Sequence, residues 1–383
     1  MRKICAITAN RADFSRIESI LRAIQKRDDL ELHLVVMGSH LLPAKGYTID
    51  EIIKKGFVPE FQIDMEVPGG TPLAMTKSVG LAITKLAEVM DSLRPDIAIV
   101  PVDRFESLAM GVTAALMNIY VAHIQGGEVT GTIDESIRHA LTKLAHLHFV
   151  ATAASWQRVI KMGEPADMVF NVGCPATDLL LQAPEYSHEE TLNKLNGLIT
   201  GPKKLVIKSS YIFVLQHPVT TEFTAASDAI MATLEAIRDL NLQVIIGWPN
   251  IDAGGEAITK VLDNYLQTVQ NAFAFAHIPT DLFVNVLRHA SCQIGNSSSG
   301  IREAGYFGTP VINIGSRQNS RERGHNVVDV GYNAVEIKKA IQTQLEHGRY
   351  PVDMIYGDGT AGEQIAAILA KIKLPSIQKK LTY

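Results

Sequence analysis

Tyr120-Val121-Ala122-His123-Ile124-Gln125-Gly126-Gly127-Glu128 decides how this chain folds. A short apolar run, Tyr120–Ile124, ends in a glycine pair among polar residues, and a helical pattern follows at Ser136–Leu144. That order of strand, turn and helix repeats along the chain. Val- and Ile-rich runs stand at Ile4–Thr8, Leu32–Met37, Ile97–Val100, Phe149–Ala151 and Val169–Val172, with helical patterns at Ser15–Gln25, Leu73–Ser92 and Glu106–Met117 between them. Such alternation signals βαβ units and a doubly wound parallel sheet of the α/β class. In that architecture ligands meet the carboxyl ends of the strands. Asp103-Arg104-Phe105 follows one strand; Gln125 to Glu128 follows the next and leads to Asp134, Arg138 and His139.

A chain of 383 residues is long for one hydrophobic core, so two domains are expected. After Cys174-Pro175 the pattern loosens, with Pro184, Pro202 and several Asn and Gly residues, before strand signals resume at Tyr211–Leu215. The expectation is a first domain at 1–180, a linker at about 181–204 and a second domain at 205–383. The second series has strands at Val244–Gly247, Phe273–Ala276, Gln293–Ile294, Val311–Ile314 and Val327–Val330. The closing helix, about Ala361–Ile372, packs on the second half or crosses back to the first. A ligand between two such halves is the expected arrangement.

Hydrophobic residues make up 46% and charged residues 20%, and the net charge of −4 argues against nucleic-acid binding through a generally basic surface. Cys5, Cys174 and Cys292 lie far apart in sequence, which suggests neither a disulfide framework nor a CxxC metal site and fits a reduced cytoplasm. No window reaches the roughly 18 apolar residues of a membrane helix. The histidines are scattered, and there is no HExxH, Walker A or GxGxxG signature, so no metal or nicotinamide is called for.

Gln293-Ile294-Gly295-Asn296-Ser297-Ser298-Ser299-Gly300 comes off a strand and opens a helix near Ile301. Small residues, hydroxyls and a helix start suit a diphosphate, although a serine-rich helix start is equally a plain cap. Glu303 reads either as a capping carboxylate or as an acceptor for two ribose hydroxyls. Arg317 follows the next strand, where its fork suits a phosphate. After the first strand, Asp13 reads as a cap for the helix from Phe14, whereas Arg11 has no such role. His40, His123 and His217 stand at carboxyl ends of strands and are candidates; His146, His148 and His289 read as structural. Arg138 and His139 come a turn after Asp134, placed to orient it or to bind substrate.

The motifs Asn10-Arg11-Ala12-Asp13-Phe14, Gly38-Ser39-His40-Leu41, Asp103-Arg104-Phe105, His123-Ile124 with Gly126-Gly127-Glu128, Gly131 to Ala140, Gln216 to Thr221 and Asn296-Ser297-Ser298 resemble the hydrolysing UDP-N-acetylglucosamine 2-epimerases. The likeness runs from about residue 3 to 370 and is to the sialic-acid-pathway branch, including the epimerase half of the bifunctional animal enzyme. It implies two facing Rossmann-like domains in the arrangement of many nucleotide-sugar glycosyltransferases. No cofactor, no membrane, a UDP-sugar substrate and a homodimer or homotetramer are also implied. The family eliminates UDP to a glycal and hydrates it to N-acetylmannosamine. Carried over, Asp103, position 125 and Asp134 are the acid/base group. His217, Ser297, Ser298, Glu303 and Arg317 hold UDP, with Arg11 near the diphosphate and His40, Arg138 and His139 on the substrate side. The chain departs from the family twice: Gln125 stands where the family has Glu, and Val102 where it has Gly. Glutamine cannot exchange a proton at neutral pH, so an impaired chemical step is expected.

Overall fold

The computed structural model of the protein describes residues 1–43, 46–69, 71–129, 133–219, 222–249 and 254–382. Gly131, Thr132, Thr220 and Thr221 of the motifs above lie outside the described residues. The chain forms two compact units, Met1–Leu181 with Tyr356–Tyr383, and Gln182–Ile355.

In the first unit the elements run β1 (Arg2–Thr8), α1 (Arg11–Gln25), β2 (Leu30–Met37), α2 (Ile49–Lys54), β3 (Phe61–Ile63), α3 (Pro72–Leu93), β4 (Ile97–Pro101) and α4 (Phe105–Leu116). Then follow β5 (Tyr120–Ile124), α5 (Ile133–Leu144), β6 (Leu147–Val150), α6 (Ala153–Lys161), β7 (Val169–Asn171) and α7 (Pro175–Leu181). The seven strands lie in the order β3-β2-β1-β4-β5-β6-β7, and every pairing is parallel. Strands β4 and β6 are buried along their whole length, as a sheet covered on both faces requires. Helix α1 shows why a helix forms here: Asn10 caps it by accepting from the Asp13 N–H, and Phe14, Ile17, Leu21 and Ile24 repeat at helical spacing on its buried face.

The second unit holds α8 (His188–Leu198), β8 (Tyr211–Leu215), α9 (Ala226–Ile237), β9 (Gln243–Gly247), α10 (Gly255–Thr268), β10 (Ala272–Phe275) and α11 (Thr280–His289). It continues with β11 (Gln293–Gly295), α12 (Ser298–Arg302), β12 (Val311–Ile314), β13 (Val327–Val330) and α13 (Ala334–His347). Its six strands are ordered β10-β9-β8-β11-β12-β13, again all parallel. Each unit is therefore a doubly wound α/β sheet whose order reverses once, between β1 and β4 in the first and between β8 and β11 in the second. Those reversals are where ligand sites form.

The boundaries differ from the expected halves in two places. The stretch 181–204, read as a linker, carries α8, where Ser187 and Glu190 make a reciprocal capping box, and Leu192 and Leu195 are buried with Tyr211 and Phe213. From Gln182 onward it belongs to the second unit. Nor does the second domain run to residue 383, because α14 (Ala361–Lys371) returns to the first unit. The physical reason is apolar: Ile365 and Leu369 are buried with Ile17, Ile20 and Ile24, each side chain contributing about 1.5–3 kcal/mol. Asp178 of α7 fixes the start of α14 by accepting from the Ala361 and Gly362 N–H groups at 3.1 and 2.7 Å. The chain leaves and re-enters the first unit side by side, with the Cys174 N–H donating to Tyr356 O at 2.7 Å. Gly173 and Gly357 allow this: a Cβ on Gly173 would lie 2.6 Å from the Gly357 Cα.

Candidate active site

At the sheet reversal of the first unit, β4 and β5 deliver Asp103 and Gln125 through turns that take left-handed backbone at two non-glycine residues, Val102 (φ +48°) and Gln125 (φ +63°). For a β-branched residue this is a strained geometry. The turns hold each other. The Val102 N–H donates to Ile124 O at 3.1 Å and the Gln125 N–H to Phe149 O at 2.7 Å, while His123 Nε2 lies 2.6 Å from Val102 O. Since a carbonyl only accepts, His123 carries its proton on Nε2. Burial pushes its pKa down to about 3, so it stays neutral.

Asp103 is paired with Arg138 of α5, and the same guanidinium donates to Glu128 O at 2.6 Å. Burial lifts the Asp103 carboxyl above its ordinary range although Arg138 pulls it down; Asp134 and Glu128 add to the lift. A carboxyl raised in this way is suited to give up a proton as well as take one. Gln125 is fully buried. Its Nε2 donates to Cys174 Sγ at 2.9 Å and to Glu128 Oε1 at 3.3 Å; its Oε1 accepts from Arg16 Nη1 at 3.2 Å. Position 125 is thus held between a cation and a carboxylate.

Beside this group lie Asp13 and Glu106, both buried. Burial raises the Asp13 pKa well above the usual carboxylate range, with Glu106 adding to it, and burial likewise raises Glu106 against the pull of Arg104. The cap read for Asp13 belongs to Asn10.

The other expected residues of this unit are spread wider. His40 is enclosed between Thr8 Oγ1 at 3.0 Å and Thr48 Oγ1 at 2.6 Å, where burial holds its pKa at about 4. Arg11 projects from the first turn of α1, 3.7 Å from Glu51. His139 lies 3.5 Å from Glu135 on the outer side of α5. Arg16 and Cys174 were not among the expected residues; on an amphipathic helix an arginine between apolar positions reads as solvent-facing, and a lone cysteine carries no signal.

In the second unit one buried side chain organises the site. The Asn296 amide accepts from the His217 N–H at 2.7 Å and donates to His217 O at 2.8 Å. The backbone carbonyl of Asn296 accepts from Arg317 Nη1 at 3.2 Å and Gln318 Nε2 at 2.9 Å. His217, Ser297 and Arg317 are thereby gathered at the carboxyl ends of β8, β11 and β12. Gly295 makes the approach possible: at φ +133° a Cβ there would sit 2.3 Å from Leu215 O. Ser297 caps α12 by accepting from the Ser299 N–H at 3.3 Å, so the helix begins at Ser298 rather than near Ile301. Glu303 is consequently the C-cap of α12, not an N-terminal capping carboxylate. Helix α12 spans only five residues, so an anion here would rely on N–H groups and hydroxyls more than on a helix dipole. A small hollow lined by His217, Pro218, Glu222, Ala226, Asn296 and Tyr332 among others opens beside Asn296. Among the described residues no group of three or more His, Cys, Asp or Glu is placed to hold a metal ion.

The family model of UDP-N-acetylglucosamine 2-epimerase matches residues 22–370. The chain belongs to that family. It is 35% identical over 376 residues to the UDP-N,N'-diacetylbacillosamine 2-epimerase (hydrolyzing) of Legionella pneumophila, covering 98% of this chain and 97% of the relative. Against the UDP-N-acetylglucosamine 2-epimerase of Neisseria meningitidis serogroup B the identity is 32%, covering 96% and 95%. Solved structures share the fold: the Neisseria meningitidis UDP-GlcNAc 2-epimerase bound to UDP-GlcNAc gives a TM-score of 0.77 at 18% identity, covering 96% of this chain and 99% of that one. The Methanocaldococcus jannaschii enzyme in complex with UDP-GlcNAc and UDP gives 0.76 at 18%, covering 96% and 99%. Asp103, Arg138, Glu128 and Gln125 thus form one hydrogen-bonded group of this family member, and His217, Asn296 and Arg317 another. Among the described residues no helix is long and apolar enough to cross a membrane.

Proposed function

We propose that this 2-epimerase is of the hydrolysing type and acts on UDP-N-acetylglucosamine. A base takes the C2 proton of the sugar while the C1–O bond to UDP breaks, leaving a C1=C2 double bond. Water then adds its oxygen at C1 and a proton arrives at C2 on the opposite face, releasing N-acetylmannosamine. Because the C2 proton is weakly acidic, departure of UDP must be assisted by donors aimed at the diphosphate. Ser297, Ser298, Arg317 and His217 supply those donors in this reading, Glu303 accepts from the ribose hydroxyls, and Arg11 serves the diphosphate from the first unit. Asp103 and Asp134 carry the proton transfers, with Arg138 orienting Asp103; His40 and His139 serve the sugar side. Position 125, as glutamine, holds shape without exchanging a proton.

The observation that carries this reading is the raised, arginine-held carboxyl of Asp103 beside position 125. The name of the Legionella relative favours a second sugar, the 6-deoxy-4-acetamido counterpart. Incubation with each UDP-sugar, with products resolved by NMR, tests both: free 2-epimerised sugar plus UDP supports the hydrolysing reading. A UDP-linked epimer would make the enzyme non-hydrolysing. Binding measured calorimetrically with no UDP release would make it a UDP-sugar-binding protein without turnover. A place early in a sialic-acid-like pathway, a cytoplasmic setting and a homodimer or homotetramer belong to the same proposal.

A further inference from the structure

Beyond α14 the chain stays with the first unit and crosses beneath its sheet, at the amino-terminal ends of the strands. Arg2 at the start of β1 donates to Ile372 O at 3.1 Å, Tyr120 at the start of β5 donates its hydroxyl to Pro375 O at 2.8 Å, and His146, just before β6, lies 3.0 Å from Ile377 O. The segment ends on Lys379. Its ammonium donates to Thr142 O at 3.2 Å, to Lys143 O at 2.9 Å and to Ala145 O. It also lies 2.6 Å from Glu164 Oε2.

The carbonyls of Thr142 and Lys143 belong to the last turn of α5, whose C=O groups have no partner within the helix. A cation there satisfies them and complements the negative end of the helix. Glu164 locks the cation in turn. It is buried, and Lys143 at 2.6 Å and His148 at 3.1 Å hold its other contacts. Burial works against its charge, yet the hydrogen bonds from His148, Lys143 and Lys379 prevail and hold the carboxyl down to about 2. Helix α5 is the one that presents Arg138 to Asp103 at the opposite edge of the sheet.

We propose that residues 372–379 form a positioning strap for the acid/base helix, in which Lys379 fixes the end of α5 and, through it, the placement of Arg138 and Asp103. The inference rests on the acid/base role proposed above for Asp103. Lys379 touches no reacting atom; it is a positioning residue that acts through the carboxyl end of α5.

The test compares Lys379→Met, Lys379→Arg and, as control, the exposed neighbour Lys380→Met in the full chain. Hydrogen exchange across residues 133–144 should speed up by about tenfold or more in Lys379→Met, with the second unit unchanged and UDP still raising the melting temperature. UDP release should fall by about tenfold in kcat with KM moved less than about threefold. Lys379→Arg should restore both, and Lys380→Met should change neither. Unaltered exchange in α5, or a lower melting temperature with kcat intact, overturns the proposal. If the unsubstituted protein itself releases no UDP, the epimerase reading fails separately, and the exchange measurement still decides whether the strap holds α5.

Discussion

Replacing Gln125 by glutamate is the sharpest test of how this site works. The present amide has Arg16 3.2 Å from its oxygen and Glu128 Oε1 3.3 Å from its nitrogen, so a carboxylate of the same shape would face a cation on one side and an anion on the other. At an effective dielectric constant of about 20, either contact is worth roughly 5 kcal/mol. The two nearly cancel, so the cost of burying a charge at this fully buried position decides, and it favours the protonated carboxyl. More important, residue 125 and Glu128 would hold one proton between them near neutral pH, because two carboxylates that close do not both ionise freely. That restores a group able to exchange protons, and the expected gain in turnover is roughly 10²–10⁴, or about 3–5 kcal/mol off the barrier. Coupled measurement of UDP release, with NMR detection of the free sugar and of solvent deuterium at C2, reads the outcome. A Gln125→Glu protein that folds and binds UDP but turns over no faster, alone or combined with Val102→Gly, would refute the reasoning.

Val102→Gly should raise stability by about 1 kcal/mol in denaturant titration, since it relieves a β-branched residue from a left-handed backbone; a loss of that size would show the turn is unstrained. Glu303→Ala should leave the fold intact but reduce the UDP-induced rise in melting temperature, and undiminished UDP affinity would confine Glu303 to closing α12. Gly295→Ala should destabilise the second unit by more than about 2 kcal/mol, because the new Cβ meets the Leu215 carbonyl and the φ suits glycine. His40 has a pKa held at about 4 against 6.5 in the unfolded chain. Between those values the unfolded chain binds a proton that the folded one refuses, so stability falls as pH drops through that window. His40→Gln should flatten this part of the melting-temperature profile.

The parallel strands were legible because strands buried on both faces read as unbroken apolar runs, as in Ile97–Val100 and Tyr211–Leu215. Strand β3 was not: three residues at a sheet edge with only Ile63 buried leave no periodic signal. Helix α8 was hidden by the Asn and Gly around it, although its Ser187-x-x-Glu190 capping signature stands in the sequence. The return of α14 depends on which apolar face it meets, which periodicity does not encode. Within the site, the proximity of Asp103 and Gln125 followed from the strand order. The pairing of Asp103 with Arg138 and the seating of Gln125 between Arg16 and Cys174 did not, because they join residues 35 to 158 positions apart through contacts that only the packed sheet creates.

The crossing at Gly173 and Gly357 bears on how the protein is made. The second unit is a continuous stretch of chain and can assemble as soon as it leaves the ribosome, whereas the first is interrupted and lacks α14 until the second unit has been made. Until then Ile17, Ile20 and Ile24 have no α14 to cover them. The nascent protein therefore carries an uncovered apolar stripe throughout translation of residues 182–355, a period in which a chaperone, or another growing copy, competes with the last helix for the same surface.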